Sequence, residues 1–455
     1  MQYLIYDALK NYKRKMPVRF HMPGHKGSRR HFPLFKDAAL DITELSFSDC
    51  LEGPDGILAL AQSDIAALLG AKRSYFLTDG SSCGIFVMLY AAKKRGGKVV
   101  IARNSHKSVY NACAILGIEP YILKSNELDG IPLPPTAAEV EDAFKKEKDI
   151  GAVLLTSPDY YGNVSDYAAL RKLCDRYGKL FLVDGAHGAY LRFDPDGAEL
   201  YAGLHADAWV DGAHKTLPTL TQGALLNSNR EDLFSDLEEG LNIFRTTSPS
   251  YPIMASIEYG VKYLSERGAG LIDTLKRELS LMKMRLKKRG VMFYPKSKTM
   301  QFAVDFGGMG ISPYLAQEEL EKHRVFAEMN DGRYLLFYIS PLTKPWHLLK
   351  LERLIRKIVK MRVLRNTYEK TDPFVCGTKK FSYLTALTFP TESLALADAT
   401  GRVCARNAGV TPPCFPVVVA GELITESAAD TLMSAKHTFG IKDGRIEVIK
   451  IGGNR

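Results

Sequence analysis

The sequence of 455 residues lacks any apolar run that approaches the ~20 residues of a membrane-spanning helix. Its first residues lack the basic region and apolar core of a signal peptide. The seven cysteines show no Cys-x-x-Cys pairing, and most of them lie in apolar segments. We therefore expect reduced thiols in a cytoplasmic protein, no membrane partner and no metal site.

The charge is unbalanced but not concentrated. The chain has a formal net charge of +10 and a pI near 9.0, yet its basic residues are scattered, with only short clusters such as 283–289. No zinc, helix-turn-helix or RNA-binding signature accompanies them. We therefore exclude nucleic-acid binding as a main function. The 46% hydrophobic content suffices for large cores in two or three domains.

Strand-like and helix-like segments alternate from residue 70 to 226. This alternation predicts an α/β domain with a mostly parallel sheet that is covered on both faces. Beyond residue 227 the pattern predicts a smaller α+β domain, with one long helix that ends near residue 265 and a second helix over 271–288. A polar segment, 363–380, predicts a further domain boundary.

Lys215 is the residue around which the chain is organised. An apolar run over 208–210 ends in a small-residue turn, and a second apolar run over 223–226 returns, which predicts a hairpin with His214 and Lys215 at its tip. A half-buried lysine has a lowered pKa, because burial disfavours the ammonium, and its amine can form an imine with a carbonyl compound. An ordinary surface lysine is the alternative.

A second buried strand lies upstream, over residues 180–184, and it leads into Asp184 and His187. A strand, an acid, a small turn, a histidine, then a second strand and a lysine resemble the aspartate aminotransferase fold type of pyridoxal phosphate (PLP) enzymes. This fold type has a large domain with a seven-stranded, mostly parallel sheet, a smaller α+β domain and, in some members, a small C-terminal domain.

The segment His-Met-Pro-Gly-His-Lys-Gly over residues 21–27 is the most specific motif. Its proline and glycines exclude a regular helix and predict an ordered loop. The motif resembles the N-terminal signature of the Orn/Lys/Arg decarboxylases, bacterial PLP enzymes that act on basic amino acids. The resemblance extends to about Glu422 and fits the compact form found in Gram-positive bacteria.

A phosphate cradle is predicted where residues 74–80 lead into an apolar helix. The start of a helix offers unpaired N–H groups and a positive dipole, so Gly80, Ser81 and Ser82 can hold a phosphate. An ordinary helix cap is the alternative interpretation. The resemblance aligns these residues with the family's phosphate loop.

The resemblance also implies roles for the remaining cofactor residues, all of which are present. Asp184 pairs with the pyridine nitrogen, Ala186 and His106 lie on opposite faces of the ring, His187 is near the phenolic oxygen, His214 shares the phosphate, and Lys215 binds the cofactor and moves protons. His106 follows a strand, where ligands bind in open α/β sheets, and helix capping is its alternative role.

The implied substrate is arginine, lysine or ornithine, with a weak preference for arginine. His25, Lys26 and Tyr160 are candidate substrate residues. Acidic candidates for the distal cation of the substrate are Glu44, Asp49, Asp159 and Glu392, each of which also has a structural interpretation.

Two positions depart from the family pattern. Gly185 replaces a glutamate beside Asp184, and Cys414 replaces a glycine in the C-terminal domain. A glycine allows turn conformations that other residues rarely adopt, so the loss of this one affects the expected geometry of the turn.

The resemblance implies an N-terminal arm (1–40), a PLP-binding large domain (41–265), a small α+β domain (266–365) and a C-terminal domain (366–455). It implies decarboxylation for polyamine biosynthesis by a homodimer or higher homo-oligomer with sites at the subunit boundary. Two alternatives stay open: another reaction on the same fold, such as an aminotransferase or aldolase, and a basic binding protein without activity.

Overall fold

The computed structural model describes residues 2–28, 30, 34–124, 126–361, 377–411 and 414–450. Cys376, two prolines of the C-terminal motif (412 and 413) and most of the 363–380 segment lie outside these residues. No helix in the described ranges is long and apolar enough to cross a membrane.

The helices and strands, in chain order, have the following bounds. The helices are α1 (Leu4–Arg14), α2 (Ile57–Leu69), α3 (Ser81–Lys93), α4 (Lys107–Leu116), α5 (Ala137–Lys146), α6 (Tyr167–Tyr177), α7 (Ala213–Thr216), α8 (Phe234–Phe244), α9 (Tyr251–Lys287), α10 (Pro313–Lys322), α11 (Pro345–Lys360), α12 (Tyr383–Thr388) and α13 (Glu426–Ser434). The strands are β1 (Arg73–Leu77), β2 (Lys98–Ala102), β3 (Glu119–Leu123), β4 (Glu127–Leu128), β5 (Ile131–Pro132), β6 (Ile150–Thr156), β7 (Leu180–Asp184), β8 (Ala208–Asp211), β9 (Ala224–Ser228), β10 (Phe302–Asp305), β11 (Met329–Asn330), β12 (Tyr334–Phe337), β13 (Thr391–Ala395), β14 (Ala408–Val410), β15 (Pro416–Val418), β16 (Thr438–Phe439), β17 (Ile441–Lys442) and β18 (Arg445–Ile449).

The main sheet has seven strands in the order β1-β9-β8-β7-β6-β2-β3. The pairs β2–β3, β2–β6 and β7–β8 are parallel, whereas β9 runs antiparallel to both β1 and β8. The residues of β7, β8 and β9 are all buried, as expected for strands covered on both faces. The predicted α/β fold with a mostly parallel sheet is confirmed.

The chain divides into two compact units. The first comprises Met1–Lys94, Tyr167–Thr274 and Ser340–Leu342, and the second comprises Arg95–Asp166, Leu275–Ile339 and Thr343–Arg455. The second unit contains three small antiparallel sheets of three strands each: β10-β12-β11, β13-β18-β17 and β15-β14-β16. The domain boundaries at residues 40, 265 and 365 stay a prediction.

One expectation about the helices is wrong. The segments that the sequence divides at residue 265 form a single helix of 37 residues, α9. A Cβ atom built on Gly268 would lie 3.0 Å from Cβ of Phe193, so a close contact, and not a helix end, explains this glycine. Buried residues continue at helical spacing on both sides of it, at Leu264, Ile272 and Leu275. Their packing outweighs the ~1 kcal/mol cost of a glycine inside a helix.

Candidate active site

Lys215 lies just after β8 on the short helix α7, and not at the tip of a simple hairpin turn. The main-chain N–H of Lys215 donates to the carbonyl of Gly212 (2.9 Å), which closes the helical turn. The side chain is half-buried, and its Nζ lies 2.8 Å from Nε2 of His187. The lysine and histidine predicted from separate segments are therefore in direct contact.

Asp184 is the last residue of β7, and only 2% of it is exposed. Its Oδ1 accepts a hydrogen bond from the N–H of Ala186 (3.2 Å). Ala186 and His187 are also buried. This turn places a carboxylate, a small side chain and an imidazole in succession at the end of a buried strand.

Gly185 has a close neighbour that the sequence does not reveal. A Cβ atom built at this position would lie 3.1 Å from the carbonyl oxygen of Val210 and 3.5 Å from Oδ1 of Asp211. A glutamate here would therefore crowd the end of β8 and bring a second carboxylate near Asp211.

The predicted phosphate cradle is at the start of α3. Gly80 has a φ of +76° in front of Ser81, the first helical residue, a conformation that favours glycine. The Oγ of Ser81 is buried and has no hydrogen-bond partner among the described residues, and Ser82 is exposed. A Cβ atom built on Gly212 would lie 3.1 Å from this Oγ, so the lysine segment passes directly beside the cradle.

His214 is held by Gly223, the residue that precedes β9. Its Nδ1 and its main-chain N–H both lie 3.0 Å from the carbonyl oxygen of Gly223, so Nδ1 carries the proton. Burial lowers the pKa of His214, the charge of Lys215 lowers it further, and the bond to Gly223 opposes them. The imidazole is therefore neutral at pH 7.

His106 belongs to the second unit, where it caps α4. Its Nδ1 accepts from the N–H of Ser108 (3.2 Å) and lies 2.8 Å from the Oγ of the same residue. The capping role is therefore present, and the half-buried ring has a fixed orientation.

The predicted substrate residues each contact another residue of the chain. His25 lies 3.1 Å from Oδ2 of Asp41, and Nζ of Lys26 donates to the carbonyl of His21 (2.7 Å). Tyr160 packs edge-on against Tyr338 with ring centroids 6.5 Å apart. The role of these residues in substrate binding stays a prediction.

The four acidic candidates all accept hydrogen bonds from their surroundings. Glu44 accepts from the N–H of Leu51 (2.8 Å), Asp49 from four main-chain N–H groups at and near the start of α2, and Glu392 from Arg402. Asp159 accepts from Tyr161 and Asn163, and burial raises its pKa to about 6. These contacts favour their structural interpretation.

Asp211 is a buried acid near the site that sequence reasoning missed. Its Oδ2 accepts from the hydroxyl of Tyr201 (2.7 Å), Nε1 of Trp209 (3.0 Å) and Nδ2 of Asn227 (3.0 Å). Its Oδ1 is buried and has no partner in the described part of the chain, and burial raises the pKa of Asp211 to about 7. The signal was an acid at the end of an apolar run, four residues before Lys215.

Comparison with known proteins identifies the family. A family model described as the major domain of Orn/Lys/Arg decarboxylase matches residues 4–302. The chain belongs to the Orn/Lys/Arg decarboxylase family. It is therefore a PLP-dependent carboxy-lyase. The lysine and acid segments predicted the PLP enzyme, and the motif over residues 21–27 predicted the decarboxylase.

Relatives match between about half and nearly all of the chain. It is 26% identical to the arginine decarboxylase of Bacillus subtilis (strain 168) over 452 residues, which are 93% of this chain and 91% of the relative. It is 27% identical to the constitutive lysine decarboxylase of Escherichia coli (strain K12) over 282 residues, 55% of this chain and 39% of the relative. The solved structure of the constitutive lysine decarboxylase of E. coli matches with a TM-score of 0.82 at 20% identity, over 99% of this chain and 82% of that one.

The residues present fit the cofactor of this decarboxylase family. The hydroxyl of Ser81 is buried beside Gly212 and has no hydrogen-bond partner within the ranges that the structure describes. It is a donor of the kind that a phosphate accepts from. Lys215, in contact with His187, carries an amine that can form an imine. Asp184 is a buried carboxylate of the kind that pairs with a protonated ring nitrogen. All of these groups come from the ends of β1, β7 and β8.

Proposed function

We propose that this decarboxylase removes the α-carboxylate of a basic L-amino acid. The bond between the α-carbon and the carboxylate breaks, carbon dioxide leaves, and a proton takes its place to give the amine. Bound PLP supplies the sink for the electron pair that stays on the α-carbon. The contact between Lys215 and His187 (2.8 Å) is the observation that supports this most directly.

Lys215 holds the cofactor and delivers the proton to the α-carbon. An amine 2.8 Å from a histidine nitrogen shares a proton with it, because one of the two nitrogens must donate and the other accept. His187 therefore accepts or returns the proton that Lys215 carries. The burial of His187 keeps this transfer away from bulk water.

Asp184 keeps the pyridine nitrogen protonated. A buried carboxylate favours a cation beside it, which makes the ring a stronger electron acceptor. Ala186, whose side chain is small enough to lie flat against a ring, and His106, whose imidazole can stack on one, would hold the pyridine ring.

The phosphate is held by Gly80, Ser81, Ser82 and His214. Ser81 and Ser82 supply main-chain and hydroxyl donors at the start of α3. The N–H of Gly80 donates to the carbonyl of Gln222 (2.9 Å), so Gly80 contributes the left-handed turn in front of these donors. The neutral ring of His214 has its Nδ1 proton directed to Gly223, so its second nitrogen is left for the phosphate side.

Arginine is the substrate that we propose first, because relatives named arginine decarboxylase match about 90% or more of this chain. His25, Lys26 and Tyr160 are proposed to contact the substrate. We further propose a cytoplasmic homodimer or higher homo-oligomer, with sites at the subunit boundary, that serves polyamine biosynthesis.

The test is a product assay with the PLP-loaded enzyme on L-arginine, L-lysine and L-ornithine. Carbon dioxide and agmatine, cadaverine or putrescine are measured together with keto acid. We expect carbon dioxide and one amine in equal amounts, with agmatine the largest. Keto acid without carbon dioxide would instead support an aminotransferase on this fold, and a lack of any product would contradict the proposal.

A further inference from the structure

The turn that carries His106, residues 103–107, is held on both sides by one segment of the C-terminal region. Arg103 lies three residues before His106, and Lys107 lies one residue after it. Both residues hydrogen-bond within residues 414–422, and the turn and this segment belong to the same unit. We call residues 414–422 the clamp segment.

The first hold is a buried ion pair. NH1 and NH2 of Arg103 donate to Oε1 (2.7 Å) and Oε2 (2.9 Å) of Glu422, and NH2 also donates to the carbonyl of Val417 (2.8 Å). Both side chains are buried. Oε2 of Glu422 accepts a further bond from the N–H of Val419 (2.9 Å). A bidentate pair of this kind fixes both the distance and the relative orientation of the guanidinium and the carboxylate.

The second hold is a main-chain bond. The N–H of Lys107 donates to the carbonyl of Cys414 (2.8 Å). Cys414 has a φ of +64°, a conformation that favours glycine, and the family has a glycine here by resemblance. Cys414 therefore adopts a backbone conformation that a glycine would adopt more easily.

The ring of His106 follows the turn closely. Its Nδ1 bonds to Ser108 two residues later, and Tyr110 in α4 donates from its hydroxyl to the carbonyl of Arg103 (2.9 Å). A shift of Arg103 or Lys107 would therefore move or rotate the imidazole.

We propose that the clamp segment, through Glu422 and the carbonyl of Cys414, positions His106 for its contact with the pyridine ring. Glu422 and Cys414 are positioning residues, since they act through His106. This inference rests on the proposed role of His106 in binding PLP. It gives the C-terminal region a part in cofactor binding.

The first test removes the main-chain bond alone. Lys107 is the first residue of α4, where proline is tolerated, and His106 has φ −58° and ψ 146°, which suit a residue before proline. Lys107→Pro therefore deletes the N–H donor with the helix retained, and Lys107→Ala shows the effect of the side chain. We expect the Kd for PLP of Lys107→Pro to exceed that of Lys107→Ala about tenfold, the scale of one lost hydrogen bond.

The second test is a double-mutant cycle on Glu422→Gln and His106→Ala in full-length protein prepared without PLP. Fluorescence titration with PLP gives the Kd for PLP. Visible circular dichroism of the bound cofactor reports how the protein orients the pyridine ring. Each single change should raise Kd about tenfold or more, but Glu422→Gln should change little further when His106 is already alanine. Glu352→Gln, at another buried glutamate that is paired with an arginine, Arg285, is the matched control and should bind PLP as the unmodified chain does.

The outcomes separate the two proposals. If the unmodified chain does not bind PLP, the proposed function fails, and this inference fails with it. If His106→Ala weakens binding but Glu422→Gln and Lys107→Pro do not, or if their effects add fully to that of His106→Ala, only the positioning role is wrong. If Glu422→Gln does not fold, the comparison of Lys107→Pro with Lys107→Ala decides whether the clamp segment positions His106.

Discussion

Nζ of Lys215 lies 2.8 Å from Nε2 of His187, although the two residues are separated by 28 positions in the chain. Two adjacent parallel strands produce this contact, since β7 and β8 pair in register from Leu182 with Ala208 to Asp184 with Val210. The residues that follow each strand therefore meet at the same edge of the sheet. The proposed acid, base and amine of the site all come from this edge.

The role of Lys215 predicts loss of both activity and bound cofactor on Lys215→Ala. We expect kcat/KM to fall about 10³-fold or more, the scale seen when a covalent catalytic group is removed. The visible absorbance of protein-bound PLP should disappear. Lys145→Ala removes an exposed lysine that pairs with Glu141 and serves as the control. A Lys215→Ala enzyme with full activity would disprove the assignment.

The close contact at Gly212 predicts a loss of cofactor affinity on Gly212→Ala. The new Cβ would lie 2.5 Å from the carbonyl oxygen of Ala186 and 3.1 Å from Oγ of Ser81, so the cradle must shift. Overpacking of this kind costs about 1–3 kcal/mol, and we expect Kd for PLP to rise about tenfold. Gly270→Ala, where nothing lies within 4 Å, is the control. Equal Kd values for the two variants would contradict the predicted cradle.

The buried acid Asp211 predicts a pH-dependent gain in stability on Asp211→Asn. Its pKa is about 7 in the folded chain and 3.8 as a model value. The folded chain therefore keeps a proton that the unfolded chain loses, so the contribution of Asp211 to stability falls as the pH rises from about 4 to about 7. At ~1.4 kcal/mol per pH unit the full effect is on the order of 4 kcal/mol.

Urea unfolding at pH 5 and pH 8 tests this prediction. The free energy of unfolding of Asp211→Asn, relative to the unmodified chain, should be higher at pH 8 than at pH 5. Asp142→Asn, on the exposed side of α5, should show no such difference. A relative stability of Asp211→Asn that falls with pH would show that the carboxylate is favoured in the fold.

A buried glutamate of α9, Glu258, binds the start of the N-terminal helix α1. Oε1 and Oε2 of Glu258 accept from the N–H groups of Leu4 (2.6 Å) and Ile5 (2.9 Å), and Nζ of Lys262 lies 3.0 Å from Oε1. Glu258→Ala removes the cap of α1 and one partner of a buried cation. We expect a loss of about 3 kcal/mol in the free energy of unfolding.

Hydrogen exchange locates this effect. Amides of α1 should exchange faster in Glu258→Ala, whereas Asp273→Asn, at an exposed position of the same helix α9, should leave them unchanged. Unaltered protection of α1 in Glu258→Ala would mean that the helix is held by its apolar face, at Ile5 and Leu9.

Much of the fold was predictable because its signals are local. Gly70 ends α2 in the left-handed conformation (φ 73°), as a glycine after an apolar helix predicts. The apolar runs before Asp184 and Lys215 predicted buried strands, and β7 and β8 are buried throughout. The division of α9 was wrong because Gly268 and Gly270 are typical of helix ends, and only the packing of Gly268 against Phe193 explains why the helix continues.

The sequence by itself determined the sheet class, the family resemblance and the identity of the lysine, acid and histidines, since these depend on residue type and on spacing along one strand or turn. Only the tertiary structure decided which groups meet: His187 with Lys215, Asp211 with Tyr201, and Glu422 with Arg103. The last pair lies 319 positions apart in the chain. Such contacts depend on burial and on strand pairing across long loops, and no local pattern of residues encodes them.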